Sequence, residues 1–215
     1  MANTSLYDRL EISLPGPWID HADRDHAWTV YSLLSSAVDH FNDAVVACQF
    51  FEPITGDDLR RNASGAVLAQ NDPVKNRLRY ICARAYIYAL DTTCSFLKTL
   101  VEQPFNAPPA IVACNALLLR FQDVRHIRNS LAHVDERSQG IGSGGKKLPG
   151  PLLIVGGCLV GNRFGVTSGD GRYAEVELSE QMMTNFRSAL LEIIWSFEWL
   201  VIGNIRAKRP EHTGS

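Results

Sequence analysis

The chain has 215 residues, of which 46% are hydrophobic and 20% charged, enough for one domain with a sizeable core. Its 21 Lys+Arg and 23 Asp+Glu leave a formal net charge of −2, which excludes a uniformly basic nucleic-acid binder and an acidic disordered tail. Any site for a polyanion must therefore be local. Five cysteines, Cys48, Cys82, Cys94, Cys114 and Cys158, lack CxxC spacing and read as small buried hydrophobes in a reducing compartment rather than a disulfide framework or zinc knuckle.

The opening MANTSLYDRLEISLPGPW has neither the cationic start nor the apolar run of a secretory signal. The late apolar stretch 189–205 is interrupted by Glu192 and Glu198 and falls short of the ~20 residues of a membrane span. A cytoplasmic protein without a membrane partner is the expectation.

Residues 1–21 read as an N-terminal extension and 22–208 as one domain, with 209–215 a disordered tail. From Asp23 to about Phe51, Val30, Leu33, Leu34, Ala37, Val38, Phe41, Val45 and Cys48 recur at the spacing of an amphipathic helix. Residues 52–71 lose that rhythm, and Asp72-Pro73 supplies a cap and an N1 proline. A second helix then runs to about Gln103, with Leu78, Ile81, Cys82, Ala85, Ala89, Phe96 and Leu100 as its inner face. After Pro108-Pro109 a third continues to about His133 on Ile111, Cys114, Leu117, Leu118, Phe121, Val124, Ile127 and Leu131.

Residues 134–151 are glycine-rich and aperiodic, as in a flexible loop. Short strands follow in 152–178, with Gly161-Asn162 as a two-residue turn and Ala174, Val176 and Leu178 on one face. Ser179 caps a last helix carrying Met182, Phe186, Leu190, Ile193, Ile194, Phe197, Leu200 and Val201 and ending near Lys208. Trp199 is assigned to an exposed interface because Phe197 already fills the inner stripe. The fold these elements predict is mainly all-α: an antiparallel four-helix bundle with a small β-hairpin or meander inserted before the last helix.

Two constellations are weaker than they look. Gly140 to Lys147, GIGSGGKK, satisfies seven positions of a P-loop, but Lys147 stands where Ser or Thr is required and a helix rather than a strand precedes it. Asp20, His21, Asp23, Asp25 and His26 could ligate a metal and support a metal-dependent hydrolase using His21 and His26. Their place at a helix start is explained more simply by capping and the helix dipole. No metal or other cofactor is expected.

Residues 120–147 hold six Lys/Arg against three acids, a local charge of +3 that leaves −5 elsewhere. Such a contrast draws a polyanion to one face. Within it, Arg128-Asn129-Ser130-Leu131-Ala132-His133 resembles the Arg-Asn-x-x-x-His motif of the HEPN superfamily, small helical bundles that include many metal-independent ribonucleases. The motif lies late in a long helix, followed by a loop and a further helix, so the context agrees over most of 22–207.

The resemblance implies Arg128 and His133 as a catalytic pair with Asn129 as polar support, a homodimer whose two motifs face each other, and RNA as substrate. It also implies a toxin, antiviral or stress-response role with an antitoxin or other protein as possible partner. Arg125, His126, Arg137, Lys146 and Lys147 are the accompanying substrate-binding candidates. Where related toxins modified by a nucleotidyltransferase carry a tyrosine two residues past the histidine, this chain has Asp135, which removes the acceptor for that regulation.

The residue types suit the chemistry. Internal RNA cleavage needs a 2′-hydroxyl deprotonated, phosphate charge stabilised and a 5′-oxygen protonated. Imidazole exchanges protons near neutrality, and a guanidinium fork grips phosphate without losing charge. A two-fold dimer supplies acid and base from one sequence. Helix geometry sets a condition: five residues separate Arg128 and His133 by about 140° on an ideal helix, so they converge only if the helix ends or distorts near Ala132 or Arg128 reaches into a groove shared with the partner. Otherwise Arg128 pairs with Asp123 or Glu136, His133 ends a helix, and the bundle is a non-catalytic HEPN-like dimeric module binding RNA, a nucleotide or a protein.

Overall fold

The computed structural model describes residues 4–53, 59–61, 67–69, 73–104, 107–148, 156–201, 205–206 and 209. The Asp72 cap, residues 152–155 of the expected strands and residues 210–215 of the tail lie outside them. The described residues are mostly helical with small antiparallel sheets.

Helix α1 (Leu6–Leu10) is closed by a reciprocal Ser5–Asp8 capping box, and β1 (Trp18–Ile19) follows. Leu10, Ile12 and Ile19 are buried in the core, so the stretch expected as an extension is built into the domain. Helix α2 (Arg24–Gln49) starts where its sequence says it should: the Asp23 carboxylate accepts from the His26 N–H at 3.0 Å. Its stripe Val30, Leu34, Val38, Phe41 and Val45 is buried against α3 (Pro73–Val101). Between them β2 (Leu59–Arg61) and β3 (Val67–Ala69) pair antiparallel, a hairpin that the loss of helical rhythm did not reveal.

On α3 the expected inner face holds in part: Cys82, Ala89 and Leu100 are buried and Phe96 packs against the core. Leu78, Ile81 and Ala85 are exposed, whereas Tyr86, Ile87, Leu90 and Leu97 fill the core. The helix is apolar on more than one side, so periodicity alone fixes its presence better than its rotation.

The third expected helix is two. Helix α4 (Pro108–Arg120) and α5 (Gln122–Ala132) meet at Phe121, whose φ −112° and ψ 23° leave the helical region. The bend lets one stretch serve two neighbours: Ala110, Cys114 and Leu117 face inward as α4 meets the late helix 180–194, while Val124 and Ile127 bury where α5 meets α3 and the strands 163–167 and 173–177. Phe121 itself packs its ring 4.6 Å from Phe186.

Past α6 (Val134–Ser138) the glycine-rich segment, described as far as Leu148, is a folded loop. The Leu148 N–H donates to the Gly140 carbonyl at 2.8 Å and Ile141 bridges Lys147. Strands β4 (Cys158–Val160), β5 (Arg163–Thr167) and β6 (Tyr173–Glu177) form a meander in that order, turning at Gly161 with φ +60°, a conformation glycine adopts without strain. Ala174, Val176 and Leu178 are buried, as their alternation requires.

Helix α7 (Glu180–Ile194) is capped by Ser179, whose hydroxyl accepts from Met182 N–H at 3.2 Å. It stops about fourteen residues before the expected end near Lys208. Trp199 is fully buried, with its indole N–H donating to the Ile194 carbonyl at 2.8 Å, and β7 (Trp199–Val201) pairs with both β1 and β8 (Ile205–Arg206). Trp199 is therefore no interface residue; aromatic and β-branched residues after Ser196 favour a strand, and the indole shares the Ile194 carbonyl at the helix end with the Phe197 N–H.

The five cysteines are free. Burial pushes the Cys48 thiol up to about 11 and those of Cys94 and Cys114 up to about 12. Cys48 and Cys114 should resist a thiol reagent at pH 8 in the native protein, while all five label in denaturant. Unfolded thiols ionise near pH ~8.5, so this contribution to stability is whole below that pH and is lost as pH rises toward 11 or 12. Fast native labelling of Cys114, located by peptide mapping, would contradict the burial.

Candidate functional site

The site begins with one acid. Asp91 is the sole carboxylate on the 29-residue helix α3, and it points inward at 4% exposure. A buried carboxylate needs charged or hydrogen-bonding partners, and α5, lying across α3, brings two. Arg125 Nη1 donates to Asp91 Oδ1 at 3.1 Å and Oδ2 at 3.0 Å, and to Ser95 Oγ at 3.2 Å. Arg128 Nε stands 3.3 Å from Asp91 Oδ2, within ion-pair reach though off the line of a hydrogen bond.

Further contacts fix Arg128. Its guanidinium carbon is 5.7 Å from the centre of the Tyr88 ring, a cation–π distance, and its Nη1 donates to Asn129 Oδ1 at 3.3 Å. Asn129 thus accepts a hydrogen bond from Arg128 within the chain. The expected pairing of Arg128 with Asp123 or Glu136 is replaced by Asp91, which the third-helix bend places across from α5.

Helix α5 ends at Ala132, and His133 leaves helical geometry with φ −118° and ψ 38°. The distortion that the 140° argument required is present at that point. His133 Nδ1 lies 3.5 Å from Glu136 Oε1, an orientation that leaves Nε2 without a protein partner among the described residues. Within one chain Arg128 and His133 turn to different carboxylates, and no hydrogen bond or ion pair joins them among those residues.

The accompanying candidates divide. Arg125 belongs to the site through Asp91. His126 is exposed on α5, and Lys146 and Lys147 are exposed on the loop; none of the three bonds to Arg128 or His133 among the described residues. Arg137 is a correction: at 3% exposure it lies inside the loop, with Nη1 donating to the Ile141 carbonyl, so it holds the segment after His133 together instead of facing a ligand.

Sequence reasoning missed Asp91 and Tyr88. Their signal was a lone acid inside an apolar stripe, which must find a cation when the helix is buried. At the other cluster, Asp23 caps α2, and the His21 and His26 rings lie 5.0 Å apart. Among the described residues no three His, Cys, Asp or Glu side chains gather as a metal would require, and no helix is long and apolar enough to cross a membrane. Compared with protein-family models, curated proteins and solved structures, the chain matches none.

Proposed function

We propose that this chain is a metal-independent endoribonuclease of HEPN type, an antiparallel four-helix bundle that acts as a homodimer with a composite site. What supports this most is the release of His133 from α5 one residue after the helix that anchors Arg128. Arg128, held by Asp91, Asn129 and Tyr88, grips the scissile phosphate and stabilises its added charge. His133, oriented through Nδ1 by Glu136, uses Nε2 to take the 2′-hydroxyl proton and then return it to the departing 5′-oxygen. The product is a 2′,3′-cyclic phosphate. Because Arg128 and His133 turn apart in one chain, the pair that works on one phosphate comes from two subunits. A toxin, antiviral or stress-response setting in the cytoplasm, with an antitoxin or another protein restraining it, follows the same resemblance.

The second reading is a non-catalytic dimeric module that binds RNA, a nucleotide or a protein. The engagement of Arg128 by Asp91 favours it, since a guanidinium already paired has less to give a phosphate. The purified protein incubated with mixed RNA in EDTA decides between them. Cleavage that falls by about 10²–10⁴-fold in both Arg128→Ala and His133→Ala, with folding retained, is the expected result. Intact RNA with the wild-type protein, or equal cleavage by the variants, overturns the ribonuclease.

A further inference from the structure

Asp91 and Arg125 also form one end of a cleft of about 360 Å³ between α3, α4 and α5. That is near the lower limit of ligand pockets, roughly 300–1,000 Å³, too small for a large cofactor and sufficient for one flat ring. Leu118 and Phe121 give it an apolar floor, and Lys98, Glu102 and Gln122 stand exposed around it. These three rim side chains have no partner among the described residues. Lys98 lies in the last turn of α3 and Glu102 directly after its end, without an ion pair between them. The Thr99 hydroxyl spends its proton on the Ser95 carbonyl at 3.1 Å and keeps acceptor capacity.

An apolar floor under a rim of unspent donors and acceptors suits an unstacked nucleobase, which buries its faces and hydrogen-bonds along its edge. The cleft's place adds a second argument. Its Asp91 wall is the carboxylate that anchors Arg128, so a phosphate at Arg128 and a ring in the cleft are neighbours across one side chain. We propose that this cleft holds a base flanking the scissile phosphate, guanine by preference. An ammonium at Lys98 meets the O6 acceptor, the Glu102 carboxylate accepts from the N1 and N2 hydrogens, and the Gln122 amide serves either role. Asp91 contributes no opposing field because Arg125 and Arg128 both face it.

This inference rests on the ribonuclease reading for its substrate, but its test does not need turnover. Guanosine 3′-monophosphate, uridine 3′-monophosphate and inorganic phosphate are titrated against the full chain by calorimetry. The guanosine nucleotide should bind about tenfold more tightly than either other probe, which a bidentate edge contact supports. That advantage should disappear in Glu102→Gln and Gln122→Ala, both exposed and outside the core, while phosphate affinity stays unchanged. Equal binding of the three probes, or an advantage that survives both substitutions, overturns the base site.

The two proposals fail separately. Tight guanosine binding lost in the variants, with RNA left intact by the wild type, removes the ribonuclease and keeps the base site. Cleavage whose mapped cut positions show no preference for a flanking guanine, the same in both variants, removes the base site and keeps the ribonuclease.

Discussion

Asp91→Ala should lower unfolding free energy by about 2–3 kcal/mol and, on the proposed ribonuclease reading, RNA cleavage by about 10²-fold. Removing one member of a buried ion pair costs about 3–5 kcal/mol, because the partner is left charged and unpaired. Here the effect is smaller because the Arg125 and Arg128 side chains remain 57% and 35% exposed and can hydrate once released. The rate effect has a different origin. Freed from Asp91, Arg128 keeps its charge but loses the anchor that aims it, and misplacement of about 1 Å can lower a rate 10²-fold. Asp91→Asn, which retains shape and one acceptor oxygen, should fall between. Urea melts and initial cleavage rates at a temperature where each variant is folded separate the two effects. Cleavage unchanged in a folded Asp91→Ala protein would show that Asp91 serves stability alone.

The legible parts of this chain were those where one local signal decides. Asp23 and Ser179 mark helix starts because their side chains satisfy backbone N–H groups within three residues. The meander was legible because Ala174, Val176 and Leu178 alternate. The bend at Phe121 was not, because the apolar stripe runs on unbroken and the change lies in which neighbour it meets. The end of α7 was hidden likewise: Trp199 reads as one more apolar residue until β1 is present to pair with β7. Of the candidate site, Arg128, Asn129 and His133 are close in sequence, so a short motif can name them. Asp91 lies 37 positions before Arg128, and its role depends on how α3 and α5 cross. Arg137 misled for the opposite reason, since its charge suggested solvent and its burial depends on a glycine-permitted loop closing round it.

On the proposed ribonuclease reading, mixing the Arg128→Ala and His133→Ala proteins, each expected to lose activity, should restore cleavage. If each active centre takes Arg128 from one subunit and His133 from the other, a mixed dimer contains one centre with neither residue and one with both. Random reassortment makes half of the dimers mixed, each with one of two centres intact, so activity should return to about a quarter of wild type. This gain from two inactive proteins cannot come from partial folding or contaminating nuclease, because either would also appear in the unmixed samples. The Asp91 anchor sharpens the test. Arg128→Ala combined with Asp91→Ala in the same chain should complement His133→Ala as well as Arg128→Ala alone does, because the intact Arg128 and its Asp91 sit together on the His133→Ala chain. Asp91→Ala placed instead on the His133→Ala chain should reduce the recovered rate by the same ~10² as in the wild type. Absence of recovery in dimers shown to have exchanged subunits would place Arg128 and His133 of each centre on one chain. The local turn of Arg128 toward Asp91 and His133 toward Glu136 would then have to reverse when RNA binds.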